Sequence, residues 1–188
     1  MELIHKYYKD NFNISDRDWE VFASKLEYNE FPKKQTILQE GQVENYLSFI
    51  ETGLVRFYIP KEENELTFAF VFNHNFFSAY DSFLTQSPSK YRVETITDSS
   101  FWRISYNDLQ AVYAETEIGN LIGRKASEEL FIKKSERELS LLNKSPKERY
   151  LDLFSEKPEV IKEIPLKYIA SYIGVTPQAL SRIRKRIS

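Results

Sequence analysis

The chain has no cysteine, one methionine and two histidines among its 188 residues. Without thiols it can form no disulfide, no thiolate zinc site and no cysteine-held iron–sulfur cluster. His5 and His74 are too far apart in sequence to suggest a metal site, and each reads as a surface histidine. Glycine is scarce as well, at five residues, and neither a Gly-rich phosphate loop nor a Gly-x-Ser-x-Gly elbow is present. No apolar run approaches the ~20 residues that span a bilayer, and the opening MELIHKYYKDNF is too polar for a signal peptide. These absences predict a cytoplasmic protein that is not an enzyme, carries no cofactor or metal and has no membrane partner.

What is present argues for a folded chain. Fourteen Phe, twelve Tyr and two Trp supply enough apolar bulk for one large core or two modest ones. The net charge of -2 hides a polarity along the chain. Residues 161–188 hold Lys162, Lys167, Arg182, Arg184, Lys185 and Arg186 against Glu163 alone, a net of +5, which leaves -7 on the first 160 residues. Only the tail is built for a polyanion.

Ser15 before Asp16, Asp18 and Trp19 predicts a capped helix that ends before Phe31-Pro32. From Gln35 to Ser105 the pattern becomes short segments rich in β-branched and aromatic residues: 36–38, 47–50, 54–59, 66–72, 91–97 and 101–104. Turn signals separate them at 40–41, 52–53, 60–64, 73–75, 86–90 and 98–99, a spacing that predicts a β-sandwich or barrel. Asn107 or Asp108 is expected to cap a short helix through Val112. A longer helix is expected from about Glu117 to Leu142, some 37 Å at about 1.5 Å per residue, which outruns a small β-domain and so should meet a partner. Ser145-Pro146-Lys147-Glu148 has the form of a capping box opening a helix with Tyr150, Leu151, Leu153 and Phe154, ended by Lys157-Pro158.

The last segment, LKYIASYIGVTPQALSRIRKR, carries the sharpest signal. A first helix with Leu166, Ile169, Ala170 and Ile173 inward is followed by Gly174 at a tight turn, Val175 toward the core, and a Thr176 cap with Pro177 at the first helical position. A second helix then buries Ala179, Leu180 and Ile183. This is the arrangement of a helix-turn-helix, whose second helix enters the major groove of DNA. Gln178, Ser181 and Arg182 are the expected base readers, since glutamine pairs with adenine and arginine with guanine. Lys167, Thr176, Arg184, Lys185 and Arg186 are the expected phosphate contacts. A buried helical hairpin with a basic end, or a basic helix on a membrane or acidic partner, explains neither the turn chemistry nor the placement behind a long helix.

This segment, with SPKERYLDLF upstream, resembles the DNA-binding end of Crp/Fnr-type transcription regulators, in a short-tailed form that ends at Ser188 without a wing. ILQEGQVENYLSFIETGLVRFY is similar to the start of that family's cyclic-nucleotide-binding roll, with Gly41 and Gly53 in turns, and FWRISYNDLQAVY to its last strands and following helix. The resemblance implies an α+β chain. Residues 1–116 would form a double-stranded β-helix, a cyclic-nucleotide-binding-like jelly roll with flanking helices; 117–143 a long dimerisation helix; and 144–188 an all-α helix-turn-helix domain. It implies a homodimer on an inverted-repeat site in double-stranded DNA, pairing along Ile118, Gly119, Ile122, Gly123 and Ala126, with RNA polymerase as a further partner. For Gly119 and Gly123, close approach of two dimer helices stands beside ordinary helix-end glycines.

The effector pocket departs from the family pattern. Ser78 and Ala79 stand where a glycine and the ribose-binding glutamate are usual, and Ser89-Lys90 stand where an arginine holds the cyclic phosphate. Cyclic AMP is therefore not the expected ligand. A pocket among Phe77, Ser78, Ala79, Tyr80, Ser89, Lys90, Tyr91 and Arg92 would be vestigial or would take another effector. Plain core packing is the favoured reading for Phe72, Phe76, Phe77, Tyr80, Phe83 and Tyr91. The alternative for the whole chain is a cyclic-nucleotide-binding-like module acting through protein contacts alone.

Overall fold

Ser15 accepts a hydrogen bond from the Asp18 amide at 3.1 Å and so starts a helix where the sequence places one. In the computed structural model, which describes residues 1–62 and 65–187, that helix is α2 (Asp16–Ala23). It stops eight residues short of Phe31, because Glu27–Phe31 forms a strand, β1. A preceding helix, α1 (Glu2–Phe12), was not anticipated; it buries Ile4 and Tyr8 and turns at Asn13 in the left-handed conformation. His5 is no isolated surface residue, since its ring stacks on Trp19 with centroids 4.4 Å apart.

The expected strands appear as β2 (Thr36–Leu38), β3 (Tyr46–Thr52), β4 (Leu54–Ile59), β5 (Leu66–Phe72), β7 (Arg92–Thr95) and β8 (Ser99–Ser105). A two-residue β6 (Phe76–Phe77) and a short α3 (Tyr80–Thr85) lie between β5 and β7. The strands form two four-stranded sheets, in the orders β1-β8-β3-β6 and β2-β7-β4-β5, of an antiparallel β-roll. In the expected turn at 60–64, Glu63 and Asn64 lie outside the described residues.

Ser105, not Asn107 or Asp108, caps α4 (Tyr106–Glu115): its hydroxyl accepts from the Asp108 amide at 3.1 Å. The long helix, α5 (Gly119–Asn143), follows. The capping box is complete at Ser145 and Glu148 and opens α6 (Pro146–Glu156), after which α7 (Pro158–Glu163), α8 (Leu166–Ile173) and α9 (Pro177–Lys185) complete the chain.

Residue contacts divide the chain into two units, one of residues 1–56 and 71–128, the other of residues 57–70 and 129–188. In the first, Ile4 and Tyr8 from α1, Ile14 from the link and Phe22 from α2 share a core with Phe49, Phe83, Ile104, Leu109 and Val112. In the second, Tyr150, Leu153, Val160, Ile164, Ile169, Ile173 and Leu180 are buried. Arg56 and Glu94, on adjacent strands of the second sheet, form a buried ion pair at 2.6 Å.

Gly53 shows how tightly the β3–β4 turn is built. Its φ is +103°, and a Cβ there would lie 2.2 Å from Ser99 Oγ and 2.7 Å from Ser99 Cα. Backbone strain and steric conflict then act together, so Gly53→Ala is expected to lower unfolding stability by about 2 to 4 kcal/mol. Urea denaturation of the variant, with an unchanged midpoint as the contrary result, measures this.

Candidate nucleic-acid interface and ligand pocket

The C-terminal motif is assembled as its sequence requires. Gly174 ends α8 at φ 79°, ψ 35°, a conformation that costs an L side chain about 1 kcal/mol or more. Its amide donates to Ser171 O at 3.2 Å, and the Val175 amide donates to Ala170 O at 2.9 Å, which closes the helix end. Thr176 then caps α9 by accepting from the Ala179 amide at 3.2 Å, with Pro177 at the first helical position. Leu180 is fully buried and holds α9 in place, with Ala179, Ile183 and Val175 half-buried. Leu166, expected inward, is instead 46% exposed, because Tyr168, Ile169, Ala170, Tyr172 and Ile173 form the buried side of α8.

All eight residues expected at DNA are exposed: Gln178, Ser181, Arg182, Arg184 and Lys185 on α9, Thr176 and Arg186 at its two ends, and Lys167 on α8. Lys167 lies over the Tyr168 ring at 4.5 Å. Arg182, Arg184 and Lys185 stand in the last turn of α9, where a helix's negative end favours cations. The result is an exposed helix face with amide, hydroxyl and guanidinium groups, suited to donor and acceptor contacts with base edges.

Sequence reasoning missed the residues that hold this motif from behind. Arg149 on α6 donates to Ile173 O from Nε at 3.0 Å and from Nη2 at 2.8 Å. Its Nη1 donates to Lys144 O and, at 3.4 Å, to Leu141 O at the end of α5. Arg137 on α5 lies 3.8 Å over the Tyr172 ring and donates to Tyr172 O. Ser171 Oγ donates to Glu65 O at 2.7 Å and accepts from the Thr67 amide at 2.7 Å, which ties α8 to β5. The only sequence signal for these was the presence of arginines near predicted helix ends.

Gly119 and Gly123 lie close to other residues of their own chain. A Cβ on Gly119 would lie 2.6 Å from Thr116 Oγ1, and one on Gly123 2.9 Å from the Tyr113 ring, so both glycines admit the chain's own α4. Ile118 and Ile122 likewise pack on the core of their own unit, and of the five expected pairing residues only Ala126 is exposed. The outward apolar residues of α5 are others: Leu121, Phe131, Ile132, Leu139, Leu141 and Leu142, with Phe131 and Leu142 each 74% exposed.

Most residues of the expected effector pocket bond or pack with their own neighbours in the chain. Ala79 is fully buried, Phe77 packs edge-on to Phe101 at 5.0 Å, and Ser78 Oγ donates to Tyr46 O at 2.9 Å. Tyr80 hydrogen-bonds Ser127 through its hydroxyl at 3.0 Å. Ser89 is buried and donates to Tyr91 O at 2.9 Å, while the Tyr91 hydroxyl donates to Asp81 and is pushed above its usual pKa, chiefly by burial. Lys90 is exposed, and the half-buried Arg92 has an Nε without an acceptor. The packing reading thus holds for Phe76, Phe77 and Phe83, which sit against Phe49, Phe101 and Tyr106.

A separate open cleft of about 420 Å³ is lined by Gln42, Glu44, Asn45, Tyr46 and Arg103, with Ile37, Leu38 and Val43. The Arg103 guanidinium lies 3.9 Å over the Tyr46 ring, and burial lowers its pKa. Glu44 is buried and accepts from the Tyr46 amide at 3.0 Å. Among the described residues no cluster of three or more His, Asp or Glu could hold a metal, and no helix is long and apolar enough to cross a membrane.

Residues 28–116 match the family model of the cyclic nucleotide-binding domain. No curated protein matches the chain significantly. Solved structures do. The c-di-GMP responsive global regulator CLP of Xanthomonas campestris is 17% identical, with a TM-score of 0.68 over 92% of this chain and 91% of its own. FixK2 of Bradyrhizobium japonicum is 18% identical, with a TM-score of 0.69 over 86% and 84%. A transcriptional regulator of the Crp/Fnr family from Eubacterium rectale is 15% identical, with a TM-score of 0.67 over 93% and 84%.

Burial raises the pKa of Glu44, against lowering by the Tyr46 amide and Arg103. An acid with a raised folded-state pKa favours folding most below its unfolded value of 4.5, and that contribution is lost as pH rises through the folded pKa. Glu44→Gln keeps the acceptor for Tyr46 and removes the charge. Its urea midpoint is expected to gain on wild type as pH goes from acidic to neutral; a constant difference would contradict the burial argument.

Proposed function

We propose that this chain, whose residues 28–116 form a cyclic nucleotide-binding domain and whose fold is that of Crp/Fnr-family transcriptional regulators, is a dimeric, sequence-specific DNA-binding regulator and not an enzyme. One observation carries the reading: α8 and α9 form a helix-turn-helix with a glycine turn, a threonine cap and an exposed polar second helix ending in cations. Gln178, Ser181 and Arg182 read bases, and Lys167, Thr176, Arg184, Lys185 and Arg186 hold phosphates.

The partners are a second copy of the chain and an inverted-repeat duplex, with half-site centres ~34 Å apart or a multiple of it. The outward apolar residues of α5 support pairing along that helix. Phe131 or Ile132, Leu139 and Leu142 fall near a repeat of about 3.5 residues, the period of a two-stranded seam, with Ser135 at the intervening position and Leu141 beside it. Such a seam replaces the one expected at Ile118, Gly119, Ile122 and Gly123. The protein acts in the cytoplasm, where promoters are.

The effector is not cyclic AMP. Ala79 offers no carboxylate to a ribose, and Ser89 already donates to main chain within its own loop. Arg92, with its free Nε, is the group there best able to meet an anion.

Arg182→Ala is expected to cost roughly 1 to 3 kcal/mol in binding a selected duplex and to relax base choice at one position per half-site. Lys185→Ala is expected to weaken all duplexes alike and reduce the salt slope by about 1. Sequence selection from random DNA, followed by titration across salt concentrations, checks both; a uniform affinity loss in the two variants would overturn the division of roles. Wild-type binding no stronger than that of a protein lacking α9 would overturn the regulator reading in favour of a module acting through protein contacts.

A further inference from the structure

Arg137 and Arg149 have an unusual set of partners. No carboxylate pairs with either one among the described residues, although the nearby helices are rich in glutamate. Both direct their hydrogen bonds to main-chain carbonyls instead. The carbonyls belong to Tyr172 and Ile173, the last two residues of α8, and to Leu141 and Lys144 at the end of α5. The final carbonyls of a helix lack intrahelical donors and lie at the negative end of its dipole, so a guanidinium placed there satisfies both needs.

A single function at the helix end does not require this geometry. A lysine is a point charge with three donors, whereas the five donors of a planar guanidinium are held in a fixed fork that here reaches two separate groups of carbonyls. Arg149 does so from α6, joining the end of α5 to the end of α8. Arg137 reaches α8 from α5 itself, its plane fixed against the Tyr172 ring at 3.8 Å. Lys157 adds a third cation by donating to the Tyr172 hydroxyl at 3.0 Å. The residues held are those directly before Gly174, where the direction of α9 is decided. A helix whose end is bonded on one side to α5 and on the other to the turn passes the position of the first to the second.

We propose that Arg137 and Arg149 are positioning residues for DNA reading, which fix the recognition helix α9 to the end of α5 and thereby set the half-site spacing that the dimer accepts. This rests on the DNA-binding dimer proposed above. Neither residue touches a base or phosphate in this role; each acts through α8.

The test uses full-length protein and a library of inverted repeats whose central spacer varies in single base-pair steps around the wild-type optimum. Arg149→Lys keeps the charge and removes the fork, and Arg137→Gln keeps a donor and removes the charge and stack. In each variant the preference for the optimal spacer over its neighbours is expected to fall about tenfold, within the range seen for single residues that carry coupling between sites. The salt slope on the optimal site is expected to be unchanged, since no phosphate contact is lost. Thermal melts accompany both variants. Reduced melting temperature and affinity with wild-type spacer preference would make the arginines merely structural and overturn the assignment. A slope lowered by about one per arginine would make them phosphate contacts and overturn it equally. Absence of any wild-type binding across the library overturns the DNA reading itself, a result distinct from both.

Discussion

At the carboxyl end of α8 the chain brings together a glycine in the left-handed region, two arginines, a lysine and a serine, all within the last turn and the residue after it. The physical need is ordinary: carbonyls at a helix end must find donors. The way it is met has consequences for the whole unit. Gly174 and Val175 satisfy the carbonyls that the turn itself can reach, and arginines from α5 and α6 satisfy those it cannot. Ser171 adds a bond to β5 through Thr67. The C-terminal unit therefore depends on interactions made by carbonyls, with apolar packing at Ile169, Ile173 and Leu180 providing the area beneath them.

Much of this fold was legible in the sequence, and the failures have physical causes. The boundaries of β2, β4 and β5 were read correctly because those strands carry β-branched and aromatic runs between turn residues. β1 was missed because EYNEF breaks strict alternation with the adjacent polar residues Asn29 and Glu30, and its partner, β8, lies some seventy residues away; only the pairing Glu27 to Arg103 through Phe31 to Ser99 defines it. Capping was legible at Ser15, Ser145 and Thr176, where the cap is local, but Ser105 was passed over in favour of its neighbours. The glycines of α5 illustrate the harder case. A small residue shows that something approaches closely, and only the fold shows that the neighbour is Tyr113 of the same chain. For Arg137 and Arg149 the sequence offers even less, because a carbonyl partner leaves no trace in side-chain identity.

The effector region reads in a similar way. The substitutions at Ser78, Ala79 and Ser89 were visible in the sequence, but what they do instead was not. Ser82 donates to Ser87 O at 2.5 Å and accepts from the Glu44 amide at 3.0 Å, while the amides of Gly41 and Ser89 bond across to Ser89 O and Gln42 O at 2.8 Å each. The loop over 86–90 is thus bonded to the turn over 41–44 by its own polar groups. A hydroxyl has one proton to donate, so a ligand that recruited Ser89 in the manner of a phosphate-binding serine would have to break its bond to Tyr91 O. That cost argues for an effector that engages other groups, or for a roll whose part is to support the helices.

For the DNA-binding dimer proposed above, the segregation of charge confines the reading surface to one end of the sequence. The first 160 residues carry a net of -7 and the remainder +5. At physiological ionic strength charges act over roughly 8 Å, so the acidic portion repels a duplex only where it comes close, and attraction is restricted to the basic face. A few cations per chain release too few counterions to hold DNA firmly by themselves, since each phosphate contact contributes a slope of only about 0.9 in log salt. In the proposed dimer, pairing two chains would double that number and convert the second half-site into an intramolecular encounter. Affinity and symmetric reading then become the same property: whatever fixes the direction of α9 relative to α5 in each copy decides whether both faces can reach their half-sites together.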